Sequence, residues 1–184
     1  MPDPISRALG QAALSWGPSA PALLRDSIVA VAQFGILLAV VLVVAGAWGA
    51  GGRTPVGLVL ALAPGVLAAA LAYLTIHVIG LVAPVERPFV ALGGTPLFVH
   101  APDASFPSDH VTLGMSMLGS HIKDRRIQVA VALVVLLVGL ARVAAGVHWL
   151  DDIVGGALIG LAFAWIGRTI WVAVLGRRRA GFEV

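Results

Sequence analysis

The sequence predicts an all-α integral membrane protein, and three observations carry that prediction. Hydrophobic residues make up 59% of the 184 and charged residues only 11%, where a soluble domain carries about 25% charged residues. Uncharged apolar stretches reach the about 20 residues that a membrane-spanning helix needs. Seven of the twelve lysines and arginines gather in one set of very short connections. With a mean hydropathy of +0.99, there is no supply of Lys and Glu to cover a water-facing surface. Disorder and an ordinary soluble globule are excluded together. Cysteine is absent, which removes disulfide frameworks, thiolate metal sites and a Cys nucleophile.

The elements follow in chain order. Residues 5–16 are too short to span and lack the order of charged start, apolar core and cleavage site that marks a signal peptide. They read as an interfacial helix with Trp16 at headgroup level. Residues 28–48 contain no charge and form the first span. Residues 55–83 form the second, broken gently at Pro64-Gly65. Residues 111–122 (VTLGMSMLGSHI) are short, and their Gly, Ser and Met content suits a helix buried among others; they count as the third. Residues 127–147 are the fourth, with Arg142 near one end, and residues 153–175 the fifth, with Arg168 inside. The expectation is five transmembrane helices plus the N-terminal interfacial helix. No repeat or low-complexity tract marks a further domain, so residues 1–24 are an interfacial segment and residues 25–184 one transmembrane domain. Pro and Gly concentrate at 49–55 and 84–107, where loops are expected.

Alternating spans sort the connections into two sets. One holds Arg53, Lys123, Arg125, Arg126 and Arg177–Arg179 in very short segments. The other holds Arg7, Arg25, Arg87 and Arg142, together with Asp3, Asp26, Glu86, Asp103, Asp109, Asp151 and Asp152. The positive-inside rule places the first set and the C-terminus in the cytoplasm and the second outside, toward the periplasm or medium. The net charge of +3 and pI of about 10.6 then need no nucleic acid to explain them.

Ionisable residues at membrane depth are costly and mark function. They fall in three outward segments: Glu86-Arg87-Pro88-Phe89, Ser105-Phe106-Pro107-Ser108-Asp109-His110, and Arg142 through His148 to Asp152. His148 and Asp152 are four residues apart, so on a helix they share a face. A carboxylate there fixes the imidazole tautomer and leaves the other ring nitrogen free for nucleophilic attack or proton transfer. Arg142 offers a planar anion-binding fork. Asp151 is expected to cap the fifth span. Ser108 is placed as an N-cap whose hydroxyl either caps or meets substrate, at a helix N-terminus suited to an anion. His110 is a candidate general acid. Asp109 stabilises the helix dipole and points away from the anion. Arg87, before Pro88, is held extended. Glu86 pairs with an arginine or faces water. This set suits phosphoryl transfer with no metal and no other cofactor, since arginines and backbone amides can stabilise the phosphoryl oxygens.

These segments resemble the type 2 phosphatidic acid phosphatase (PAP2) superfamily, whose pattern is Lys-x6-Arg-Pro, Pro-Ser-Gly-His and Ser-Arg-x5-His-x3-Asp. The chain has Arg87-Pro88, then Pro107-Ser108-Asp109-His110, then Ala141-Arg142 with His148 and Asp152 at the family spacing. The form Ser-Phe-Pro-Ser-Asp-His-x-Thr is most similar to the bacitracin-resistance branch, the BcrC-type undecaprenyl pyrophosphate phosphatases. The resemblance implies a PAP2-type helical bundle. It implies His148 as the nucleophile forming a phosphohistidine, Asp152 orienting it, His110 as the acid, and Arg87, Ser108 and Arg142 binding phosphate. The chain departs from the pattern at Gly80 for the family lysine, Ala141 for serine and Asp109 for glycine. His77 lies one turn from Gly80, within a span where a histidine is more often packed than functional. No role is assigned to His100 or His121.

The expected substrate is a polyprenyl diphosphate, undecaprenyl diphosphate becoming undecaprenyl phosphate, at a site facing outward from the cytoplasmic (inner) membrane. The resemblance brings in peptidoglycan lipid-carrier recycling and bacitracin resistance as the context. The alternatives are another lipid phosphate (phosphatidylglycerophosphate, phosphatidic acid or a polyprenyl phosphoribose phosphate) and, from a different class, a non-catalytic transporter or membrane subunit. A transporter would string its ionisable residues along a mid-membrane path, whereas here they cluster at one face.

Overall fold

A computed structural model describes residues 2–180, with side chains described as far as residue 174. The side chains of Arg177–Arg179, used in the topology argument, lie outside the described residues. Seven α-helices follow in order: α1 Pro4–Trp16, α2 Ala22–Ala50, α3 Pro55–Val82, α4 Pro88–Ala91, α5 Asp109–Ser116, α6 Arg125–Ala144 and α7 Leu150–Ala180. Single 3-10 turns lie at Gly17–Ser19 and Met117–Gly119.

Local chemistry sets several helix starts. The Asp3 carboxylate accepts from Ser6 N–H before α1, the Thr54 hydroxyl from Gly57 N–H before α3, and the Asp124 carboxylate from Arg126 N–H before α6. Pro4 and Pro55 open α1 and α3, where a missing N–H costs nothing. Pro64 is accommodated inside α3, which continues unbroken past it to Val82.

Four helices, α2, α3, α6 and α7, are long and apolar enough to cross a membrane. Their outer faces carry exposed Phe34, Leu37, Leu38, Val59, Leu133, Leu158 and Trp165, an apolar surface that only lipid solvates well. The expected third span differs. Residues 111–122 take in all but the first two residues of the eight-residue helix α5, one 3-10 turn, and the start of a non-helical chain that runs from Ser120 to Asp124. The physical reason is packing. Val111, Met115 and Ile122 are buried in one cluster with Val43 of α2, Val131 and Val135 of α6 and Ile153 of α7, so most of this stretch packs against protein and needs no spanning length. It runs from Ser108, whose N–H donates to the Asp152 carbonyl, to His121, whose N–H donates to Ala61 near the start of α3.

Small residues make room for it. A Cβ on Gly160 of α7 would stand 2.5 Å from the Thr112 carbonyl oxygen, and one on Gly119 would stand 2.9 Å from that of Ala164. Backbones in contact at such distances give dense van der Waals packing where the hydrophobic effect cannot drive association.

The helix α1 folds onto the same end of the bundle as the start of α7. Ser6 and Gly10 are its buried residues. Asp3 N–H donates to the Asp151 carboxylate, and Asp151 N–H donates to the Ser6 hydroxyl.

Candidate active site

The C-terminus of α6 turns the chain toward His148. Val147 N–H donates to the Arg142 carbonyl and Gly146 N–H to that of Val143, the paired bonds of a Schellman motif. Gly146 has φ +77, a left-handed conformation that glycine adopts without steric penalty. The motif explains the spacing: Arg142 lies in the last turn of α6, and His148 emerges just past the reversal.

His148 is not helical, because α7 starts at Leu150. The expectation that His148 and Asp152 share a helix face is therefore corrected. Asp152 stands in the first turn of α7 and reaches back across the helix start. One of its oxygens, Oδ2, accepts from Trp149 N–H at 2.8 Å, from His148 Nδ1 at 3.0 Å and from the Ser105 hydroxyl. This is the carboxylate half of a capping box. Asp152, not Asp151, closes the start of α7, and Asp151 instead anchors α1.

With Nδ1–H donated to Asp152, the other ring nitrogen of His148 carries a lone pair. Arg87 lies against it. Its Nη1 donates to His148 Nε2 at 3.2 Å and to the Val147 carbonyl at 2.9 Å, its Nη2 donates to the Ala104 carbonyl, and its Nε pairs with Asp103 at 2.8 Å. Four polar contacts over-determine the guanidinium's position. Pro88 opens the short helix α4 directly after it, with Arg87 extended at φ −67, ψ 154. The Glu86 side chain is exposed, and its carbonyl accepts from the Trp149 indole.

Arg142 approaches from the α6 side. Its Nη1 donates to the Ala32 carbonyl of α2 and its Nη2 to His100 Nε2 at 2.9 Å, while its buried Nε has no hydrogen-bond partner among the described residues. The His100 ring lies edge-on to that of His148, with centroids 6.3 Å apart. Arg87, Arg142, His148 and Asp152 are all at most 4% exposed. Such burial of charge persists only where the groups are mutually bonded.

Ser108 occupies the N-cap position of α5, but its hydroxyl makes no cap bond. That hydroxyl is buried and unpartnered among the described residues, so of the two roles weighed for it, capping is not the one it performs. Asp109 beside it is exposed.

Electrostatics describe one shared field. Burial pushes His148 down to about 4 despite the opposing pull of Asp152. Burial likewise pushes His110 down to about 4, reinforced by the positive charge of Arg142 and by His148, His100 and Arg87. His100 is lowered chiefly by burial, against its bond to the Ala101 carbonyl. Burial would raise the Asp103 carboxyl, but the hydrogen bond and charge of Arg87 outweigh it and hold it low.

Sequence reasoning missed three of these groups. His100, given no role, holds Arg142. Asp103 holds Arg87, and Ser105, quoted without a role, holds Asp152. All three sit in the irregular 84–107 connection, which has no period from which to aim a side chain. His77 takes no part in this network; its Nδ1 bonds the Tyr73 carbonyl within α3. It borders, with Gly80, Asp103 and Asp109, a side cavity of about 280 Å³.

Known proteins are similar to the chain in sequence and in fold. YbjG of Escherichia coli (strain K12), which carries the name of an undecaprenyl-diphosphatase, is 39% identical over 93 residues, covering 50% of this chain and 47% of YbjG. The undecaprenyl-diphosphatase BcrC of Bacillus subtilis (strain 168) is 33% identical over 81 residues, 44% of this chain and 42% of BcrC. The chain thus matches about half the length of these relatives or less. Among solved structures, the transmembrane PAP2 type phosphatidylglycerolphosphate phosphatase of Bacillus subtilis superposes with a TM-score of 0.63 at 21% identity, over 90% of this chain and 84% of that one. Aquifex aeolicus LpxE superposes with a TM-score of 0.65 at 23% identity, over 89% and 92%. The PAP2 superfamily model matches residues 61–175, a range that holds Arg87, Ser108, His110, Arg142, His148 and Asp152 and well over half of the sequence, and the chain belongs to that superfamily.

Proposed function

We propose that this chain is a membrane-embedded lipid phosphatase that removes the terminal phosphate of a polyprenyl diphosphate, converting undecaprenyl diphosphate to undecaprenyl phosphate through a phosphohistidine. One observation carries the reading: His148 Nε2, its lone pair fixed by the Asp152 contact at Nδ1, lies 3.2 Å from the Arg87 guanidinium. A nucleophile and a phosphate-binding fork therefore share one point in space. The names of YbjG and BcrC support a diphosphate substrate.

The chemistry follows from these groups. His148 Nε2 bonds to the terminal phosphorus as the bond from phosphorus to the bridging oxygen breaks, and the electron pair leaves on the lipid monophosphate. Asp152 stabilises the positive charge that the imidazole gains. Arg87, Arg142, the Ser108 hydroxyl and the N-terminal amides of α5 take the charge on the phosphoryl oxygens. Water then attacks phosphorus, the phosphorus–nitrogen bond breaks, and its pair returns to Nε2 as inorganic phosphate leaves. His110 gives a proton to the departing oxygen and takes one from the water. Burial is the main cause that depresses His110; phosphate binding offsets the positive charges that add to it, so the substrate itself raises the acid toward a useful range. The arginines do the charge stabilisation that metal ions do in other phosphoryl transfers, so the reaction needs no metal.

In this reading residues 111–122 complete a fifth crossing inside the bundle, shielded from lipid by the four long helices. The short basic connections face the cytoplasm, the site faces outward from the cytoplasmic membrane, and α1 lies along the outer surface.

The test is release of inorganic phosphate from undecaprenyl diphosphate by the purified protein in detergent, with and without EDTA. Release that survives EDTA and is abolished in His148→Ala is expected. No release by the wild type overturns the proposal. A second reading keeps the chemistry and changes the lipid. It is favoured by the fact that the groups described around His148 are suited to phosphoryl oxygens, which every lipid phosphate presents. A panel of phosphatidylglycerophosphate, phosphatidic acid and polyprenyl phosphates on the same preparation separates the two.

A further inference from the structure

At the end of the bundle away from His148, a cavity of about 690 Å³ opens between the last turn of α2, the first turns of α3 and α6, and the second half of α7. Its walls are apolar at Leu60, Ile122 and Trp171, and three basic side chains border it: His121, Lys123 and Arg168. None of the three has an ion-pair partner among the described residues. The acid nearest in sequence, Asp124, is engaged in accepting from Arg126 N–H at the start of α6. The His121 main chain is fixed by its N–H bond to Ala61, and the Gln128 amide is occupied by the Ile122 carbonyl. The turn that presents His121 and Lys123 is therefore built, while the charged ends of Lys123 and of Arg168 on α7 have no ion-pair partner among the described residues.

Unpaired cations around an apolar cavity between membrane helices call for an amphipathic anion. Arg168 and His121 border the same cavity from two different elements, and neighbouring basic groups are offset by a bound anion. Trp171 adds an indole of the kind that sits at headgroup level. The volume exceeds what one phosphate ion fills and lies within the range of organic ligand sites, about 300–1,000 Å³.

We propose that this cavity binds the headgroup of an anionic phospholipid, with Lys123 and Arg168 on the phosphate diester and the acyl chains running along Leu60 and Trp171. The bound lipid is a structural ligand and not a substrate, because the cavity lies at the opposite end of α5 and α7 from the His148 network. It pins the 120–124 turn that joins α5 to α6.

The proposal is independent of the catalytic reading, and its test keeps the two apart. Native mass spectrometry of the full chain in a neutral detergent counts bound phosphatidylglycerol, a diester with no terminal phosphate to remove. Saturable binding of phosphatidylglycerol over phosphatidylcholine is expected, equal in wild type and His148→Ala, and unaffected by millimolar inorganic phosphate. Each basic side chain is worth about 1 kcal/mol toward an anionic lipid, or roughly 5-fold, so Lys123→Ser with Arg168→Gln should weaken binding roughly 30-fold. Leu60→Trp, which fills the cavity and keeps the charges, should reduce it as well. Equal binding of the two lipids overturns the proposal, as does undiminished binding in both sets of variants. Displacement by inorganic phosphate overturns it in favour of a free-phosphate site.

Discussion

Asp152 Oδ2 meets His148 Nδ1 at 3.0 Å from the first turn of α7, with His148 itself outside the helix. The carboxylate thus serves two backbone-dictated purposes at once, closing a helix and fixing a tautomer, and Ser105 bonds the same oxygen.

That double duty makes Asp152→Asn informative. The amide can still accept from Trp149 N–H, so the fold survives. It can also present its NH2 to the ring, which favours the wrong tautomer and leaves no charge to balance the phosphohistidine. A loss in kcat on the order of 10⁴ is expected, with thermal stability changed little, measured by phosphate release and a melting scan of one preparation. A loss under tenfold would contradict the role given to Asp152.

The pH profile should be set by burial. With His148 depressed to about 4, its neutral form prevails at all higher pH. The acidic limb of kcat/KM is expected near 4, where an unperturbed imidazole would place it near 6.5. Stability moves the same way. Between about 6.5 and 4 the unfolded chain binds protons at positions 148 and 110 that the folded chain refuses, so stability falls as pH falls through that window. Melting temperatures across pH 4–8 check the sign.

His110 separates substrates by their leaving groups. A diphosphate expels a phosphate monoester, which needs a proton far less than an alkoxide does. His110→Ala should therefore cost less on undecaprenyl diphosphate than on phosphatidic acid. Equal losses on the two would remove His110 from the acid role.

Asp103 is a positioning residue for Arg87, and its side chain is 63% exposed. An exposed pair contributes up to about 1 kcal/mol, so Asp103→Ala should raise KM by roughly 5-fold or less and leave kcat nearly unchanged. Asp103→Asn, which keeps an acceptor for Arg87 Nε, should restore part of the loss. A fall in kcat with KM constant would place Asp103 in the chemistry instead.

Gly146→Ala tests the reversal after α6. Left-handed backbone costs an L-residue about 1–2 kcal/mol, and the new Cβ would stand 2.6 Å from Leu14 Cδ2. A lower melting temperature is expected, with activity reduced through displaced His148. An unchanged melting temperature would mean that the turn relaxes freely.

By itself the sequence determined the solvent and the chemical vocabulary of this protein. Uncharged apolar runs at 28–48 and 55–83 admit no other reading than helices in lipid, because no other open structure satisfies its backbone there. Arg87, Ser108, His110, Arg142, His148 and Asp152 stood out because charge and polarity are costly at membrane depth. Only the tertiary structure decided how they meet. The 111–122 stretch shrank to a short helix and a turn because it packs against α2, α6 and α7, and length is no longer a requirement once protein takes the place of lipid along most of a segment. His100, Asp103 and Ser105 joined the network from a loop whose side chains are aimed by long-range contacts, and such contacts leave no period in a sequence. The Asp152–His148 pairing kept its spacing of four for a reason that spacing does not reveal: a carboxylate reaching back over a helix start covers the same interval as one full turn along its face.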